Sequence, residues 1–264
     1  MYAEPERRSK RLCSILCERI EKVLIAMFNG LFSIFKKEVK EYFSAPIALV
    51  VIATFWALCG YFFSFNLFFV NVAQMVTSFH NMTILLILMM PLLTMRIFAD
   101  ENKTGTIELL LTLPLKDWET VLGKFAAAIM ILALMLLGTA SAVIPLAVFG
   151  KPDFGPIIGG YIGVFIFGAM FMAIGVALSA ICTNQIVAAI LTWGALVLLW
   201  FIDYPASLDL FPRLSEILLH LSLSAQHVDL IRGVLDGRSI VYFLSVIVFS
   251  LSATIQLLKW RRMQ

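Results

Sequence analysis

The residues of this chain whose types and spacing suit chemistry are gathered in one polar interval, MRIFADENKTGTIELLLTLPLKDWETVLGK, which separates two apolar runs. Within it stand Arg96, Glu101, Lys103, Gly105, Thr106, Ile107, Glu108, Leu110, Leu111, Pro114, Gly123 and Lys124, whereas Tyr42 to Met95 before it holds no Asp, Glu, Lys or Arg. Charges beside an apolar stripe suit recognition: in a docking surface, aliphatic side chains form the buried anchor and charges the wet rim. Bond-making chemistry is not visible. Gly123-Lys124 lacks the upstream glycine of a GxxxxGK phosphate loop and runs straight into an apolar stretch. No HExxH, CxxC or GxSxG occurs, and His80, His220 and His227 have no carboxylates at ligand spacing. No catalytic, cofactor or metal site is therefore expected, and ATP hydrolysis is not expected of this chain.

The elements that must position this interval are membrane helices. Hydrophobic residues make up 61% of the 264, charged residues 14%, and mean hydropathy is +0.95, far from the roughly 45–50% apolar and about 25% charged of soluble domains. About 20 apolar residues cross a hydrocarbon core. Six candidate spans follow: 46–70, 80–98, 120–149, 157–181, 186–202 and 240–258, leaving no room for a soluble domain. The net charge of +3 matters less than its distribution. Sixteen of the twenty Lys and Arg residues fall before the first span, around the 96–124 interval or after the last span. By the positive-inside rule both termini and the interval are expected to be cytoplasmic, in a multi-pass protein of the inner, cytoplasmic membrane. A bilayer is the expected partner and a nucleic acid is not.

Residues 1–28 form a basic leader without the apolar core of a secretory signal, and Met27 is a second plausible start. From Leu31 to Phe43, apolar Leu31, Ile34, Phe35, Val39, Tyr42 and Phe43 oppose Lys36, Lys37, Lys40 and Glu41. This predicts an interfacial helix with its aromatic side in the headgroups. After the second span Asn102 and Thr104 are candidate caps, Pro114 stops a short helix, and another starts at Asp117. Residues 203–238 carry Leu214, Ile217, Leu218 and Leu221 at helical spacing, predicting helices that dip into the outer leaflet. In the fourth span the pairs Gly159/Gly163, Ala169/Ala173 and Gly175/Ser179 allow close helix approach, by default within the chain. The four cysteines, Cys13, Cys17, Cys59 and Cys182, offer no disulfide framework.

Ionisable residues in mid-span usually serve ion coupling. These spans hold essentially none, and Arg96 and Lys124 sit at ends where they can snorkel. The driving force is expected from outside the chain.

The order of Arg96, Glu101, Gly105, Thr106, Glu108, Leu110, Pro114, Gly123 and Lys124 resembles that of ABC-2 type transporter permeases. With GGYIG at 159–163, TNQIVA at 183–188 and RGVLD at 232–236, the chain is similar to a gliding-motility-associated subgroup of that family, over nearly everything but the leader. The resemblance implies that residues 29–262 form an all-α permease domain of six transmembrane helices. It implies dimerisation with a second copy or a paralogue and recruitment of a separate ABC ATPase, which binds ATP and Mg. In such a permease 31–43 is a connecting helix, 100–114 is a coupling helix docking on the ATPase, and the external helices lie between spans five and six. Glu101, Lys103 and Glu108 would then meet the partner as rim charges, with Ile107, Leu110 and Leu111 as anchor. Export is the expected function. The alternative is a membrane anchor or regulator of an envelope or gliding-related machine, with a periplasmic accessory protein as a further partner.

Overall fold

The computed structural model describes residues 30–68, 75–107, 116–145, 154–202, 223, 230–231, 233 and 236–263, and among them every regular element is helical. The longer helices in chain order are α1 (residues 30–44), α2 (Pro46–Phe68), α3 (Met75–Thr94), α4 (Arg96–Thr104), α5 (Asp117–Thr139), α6 (Phe154–Ile181), α7 (Gln185–Trp200) and α8 (Gly237–Arg262). A 3-10 turn, Ala140–Ala142, follows α5. In hydrocarbon a backbone must satisfy its own N–H and C=O groups, so sequences this apolar become long helices. Polar residues mark the ends. Glu119 accepts from the Lys116 N–H below α5, Asn184 from the Ile186 N–H at α7, and Asp236 from the Arg238 N–H at α8. Lys259, Arg261 and Arg262 occupy the last turn of α8, where cations meet the negative end of the helix dipole.

Five helical stretches are long and apolar enough to cross a membrane: Pro46–Asn66, Met75–Thr104, Asp117–Pro145, Phe154–Ile181 and Gly237–Arg262. The expected fifth span, 186–202, falls on α7, which has 16 residues. At about 1.5 Å per residue it reaches roughly 24 Å, short of the roughly 30 Å core. A second difference concerns the interval after span two. Asn102 and Thr104 lie in the last turn of α4, and the chain is helical again at 106–107. Met95 is a turn between α3 and α4, and α4 stops at Gly105, whose φ of 71° is left-handed. Glycine, lacking a Cβ, turns the chain there without strain. Thr104 Oγ1 donates back to the Asp100 carbonyl at 2.9 Å, within α4.

The interior is built around α3 and α6. Of the apolar stretches in Met75–Thr104 and Phe154–Ile181, 72% and 67% are buried, against 33% for Pro46–Asn66 and 28% for Gly237–Arg262, which lie at the periphery. Five of the six glycines of α6 meet close neighbours inside the chain. A Cβ on Gly160 would meet the Phe79 ring at 2.2 Å, one on Gly168 the Leu132 side chain at 2.8 Å, and one on Gly159 the Gly233 carbonyl at 2.7 Å. Phe167 stacks edge-on with Phe171 and Phe243 at centroid distances of 4.7 and 5.2 Å. The two ends of the bundle differ in chemistry. At one end Phe79 meets Tyr161 and His80 lies beside Trp200. At the other, Arg262 pairs with Asp117, Asn102 reaches Cys182, and Lys124 reaches Glu38.

Gly175 gives a direct test of the packing, because a Cβ there would fall 2.2 Å from the buried Thr94 Oγ1, whereas nothing lies within 4 Å of a Cβ at Gly60. Gly175→Ala is expected to cost about 1–3 kcal/mol through overpacking. Gly60→Ala is expected to be neutral or stabilising, since alanine is the better helix former. Thermal unfolding of the two variants in detergent separates these outcomes.

Candidate functional site

Lys124, about two turns into α5, is the centre of the charged end. Its side chain is 2% exposed. The Nζ donates to Glu38 Oε1 at 2.7 Å, to Glu101 Oε1 at 2.9 Å and to the Ile97 carbonyl at 2.9 Å, which uses all three donors of an ammonium. The Phe98 ring lies 5.1 Å from it and adds a cation–π contact. One buried cation thus joins α1, α4 and α5. The approach of α1 depends on Gly123, where a Cβ would sit 3.0 Å from Ile34 Cγ2. Lys37 adds a looser ion pair to Glu101 at 3.6 Å from the solvent side. Burial raises the Glu38 carboxyl above the ordinary glutamate range, with the Lys124 ammonium pulling the other way. Tyr42, next on the same face of α1, donates to the Leu93 carbonyl at 3.3 Å.

The other side of α4 is fastened to α6. A new helix after the Met95 turn leaves its first N–H groups without intrahelical partners. Ser179 Oγ of α6 accepts from Phe98 N and Ala99 N, each at 3.1 Å, and donates to the Met95 carbonyl at 3.1 Å. A side chain of a different helix therefore supplies the cap. Gly175 one turn earlier admits Thr94, so the Gly175/Ser179 pair acts as a seat for the α3–α4 junction. Further along, Asn102 Nδ2 donates to the Cys182 and Ala180 carbonyls at 2.8 and 3.3 Å, while its Oδ1 accepts from Arg261 at 2.5 Å. Gln185 donates to Asp100, and Arg262 pairs with Asp117 at 3.2 Å.

Between α1 and α4 a cleft opens, lined in part by Glu38, Glu41, Tyr42, Arg96 and Glu101. The Arg96 Nε and the Glu101 Oε2 are buried without a hydrogen-bond partner.

The structure separates the residues of the interval into three groups. Arg96, Glu101, Gly123 and Lys124 come together in and around the cleft. Lys124 does not snorkel outward; its ammonium is turned into the protein. Glu101 likewise spends Oε1 on Lys124, so it does not stand free as a rim charge. Ile107 is buried in the chain's own core. Lys103, Gly105 and Thr106 are exposed, and the Thr106 hydroxyl lies 2.9 Å from that of Thr104. Glu108, Leu110, Leu111 and Pro114 lie outside the described residues, as do residues 1–29, His220, His227 and most of the 203–238 segment. Among the described residues no group of three or more His, Cys, Asp or Glu side chains is placed to hold a metal ion.

Glu38 and Ser179 are the central residues that sequence pattern alone does not single out as functional. Their signals are faint but physical. Glu38 falls between Ile34 and Tyr42 at spacings of four, an acid inside an apolar stripe rather than opposite it. Ser179 reads as a small residue for close packing, and its hydroxyl gains a role only because Phe98 and Ala99 come to it.

The family model described as "ABC-2 family transporter protein" matches residues 21–223. No curated protein matches the chain.

Removing one partner from a buried ion cluster costs about 3–5 kcal/mol, because the charges left behind are uncompensated. Lys124→Met is expected to lower thermal stability by that order. Adding Glu38→Gln and Glu101→Gln should restore much of it, since amides need no counter-charge. Melting curves for the single and triple variants, measured in the same detergent, check both the loss and the recovery.

Proposed function

The chain belongs to the ABC-2 family of transporter proteins, as a multi-pass membrane permease component, and from that membership we propose that it exports cargo using ATP hydrolysed by a separate ABC ATPase subunit. The observation that carries the reading is the charged end itself: α4, the last part of the Met75–Thr104 stretch beyond the Met95 turn, is tied to α1, α5 and α6 by Lys124 and Ser179. Force applied at the exposed Gly105 would reach several helices through hydrogen bonds and an ion cluster rather than through a flexible linker. Rigid pieces of this kind shift between discrete arrangements rather than deform continuously. Closure of an ATPase dimer on ATP would supply the push, with ATP and Mg held by that partner.

Six crossings fit this reading. α6 and α8 both end at the charged end, where the Ile181 carbonyl accepts from Arg261, while α8 starts from the opposite one. A return across the bundle between them suits α7, which runs from Gln185 beside Asp100 to Trp200 beside His80. A crossing of 16 residues would call for a locally thinner bilayer or for polar neighbours over its ends. The sixteen basic residues support a cytoplasmic charged end by the positive-inside rule, and the exposed faces of α2 and α8 leave surface for a second copy or paralogue. The similarity to a gliding-associated subgroup keeps a second role in view, as the membrane anchor or regulator of an envelope machine with a periplasmic partner. Cargo-stimulated ATP hydrolysis by the purified complex belongs to export and not to that role.

Lys103 is an exposed cation of α4, and in this reading it belongs to the ATPase rim. Lys103→Glu is expected to weaken co-purification of the ATPase a few-fold, the scale of one exposed ion pair, while insertion stays normal. A cysteine in place of Lys103 should react with an impermeant maleimide only after the membrane is opened. Labelling in intact cells would put the charged end outside and end the reading.

A further inference from the structure

The cleft between α1 and α4 contains charges that the ion cluster does not use. Lys124 is fully engaged by Glu38, Glu101 and the Ile97 carbonyl, and Asp100 accepts from Gln185. Arg96, by contrast, has no hydrogen-bond or ion-pair partner among the described residues, and its Nε is buried. The Glu41 carboxylate, on the α1 wall of the cleft, has none among them either, and the two are not paired with each other. The Glu101 Oε2 is a buried acceptor without a donor. An unmet buried donor and an unmet buried acceptor each cost free energy that a bound group can recover.

What recovers both is constrained by charge. A simple phosphate would satisfy Arg96 but meet Glu38, Glu41, Asp100 and Glu101 around it. A simple amine would satisfy the carboxylates and leave the guanidinium unmet. A group carrying both an anionic phosphate ester and a primary ammonium answers each: phosphate oxygens accept from the planar guanidinium fork, and ammonium N–H groups donate to Glu101 Oε2 and Glu41. A quaternary ammonium cannot donate. The cleft's position sets the source: Tyr42 and Ala45 line it immediately before Pro46, where α2 begins, so it sits at the foot of the first span, at the depth of lipid headgroups.

We propose that this cleft binds the headgroup of an aminoalkyl phospholipid of the phosphatidylethanolamine type, with Arg96 on the phosphate and Glu41 and Glu101 on the ammonium. The site goes beyond the export reading, and its test uses no ATPase. The full chain in detergent is titrated with dioleoyl phosphatidylethanolamine, phosphatidylcholine or phosphatidylglycerol, and bound lipid is counted by native mass spectrometry. Phosphatidylethanolamine is expected to bind about tenfold more tightly than either other lipid, the scale of one charge-assisted contact. Arg96→Gln should reduce that affinity to the phosphatidylcholine level. Glu41→Gln, at an exposed position that does not threaten folding, should narrow the preference over phosphatidylcholine while leaving phosphatidylglycerol binding no weaker. Equal binding of the three lipids, a preference for phosphatidylglycerol, or unchanged discrimination in both variants overturns the proposal. Soluble glycerophosphoethanolamine binding as tightly as the lipid would overturn the membrane source while keeping the chemistry. ATPase co-purification from the same preparations reports on the export reading separately.

Discussion

A lysine ammonium withdrawn from water at the foot of a membrane helix is the constraint around which the charged end is organised. Isolated in a low-dielectric surrounding, such a charge costs many kcal/mol, and it persists only where every donor is met. Lys124 meets that condition with three acceptors from two other elements. The consequence is positional: α1 cannot slide along α5 without uncovering the ammonium, and α4 cannot tilt away without losing both Glu101 and the Ile97 carbonyl. Gly123 then removes the one side chain that would hold α1 too far off.

The second fastening answers a different need. The turn at Met95 interrupts the helix of the second span, which goes on as α4, and backbone donors of α4 are met from outside the helix. Ser179 takes two of them at once and returns its own proton to the Met95 carbonyl. Since Ser179 belongs to α6, one of the two most buried helices, the α3–α4 junction is fastened to the interior of the bundle. Asn102 extends the same attachment to the end of α6 and, through Arg261, to the last turn of α8. A push delivered at Gly105 therefore finds no soft joint between it and the core among the described residues.

Much of this is legible in the sequence where the signal is local. Hydropathy locates five of the helices long enough to cross, the polar break before Asp117 marks the start of α5, and Gly175 with Ser179 signals a close helix approach. The features that escape depend on contacts between distant parts of the chain. Glu38 and Lys124 are 86 positions apart, so a lysine near a span end reads as one that reaches for water until the opposing acid is seen. Asn102 and Thr104 carry the residue types of a helix start, yet Gly105 in the left-handed region closes the helix there. α7 reads as a full span because apolar residues continue past Trp200, while its regular helix ends at that residue.

Chain order gives the lysine cluster a meaning for how the protein is made. Glu38 and Glu101 are both synthesised before Lys124, so the nascent chain holds both carboxylates before it holds the buried ammonium that joins them. Only when the third span enters the bilayer does the ammonium arrive between them. A third span seated at another depth would leave two acids and a lysine apart, so the axial position of α5 is coupled to the charge balance of α1 and α4.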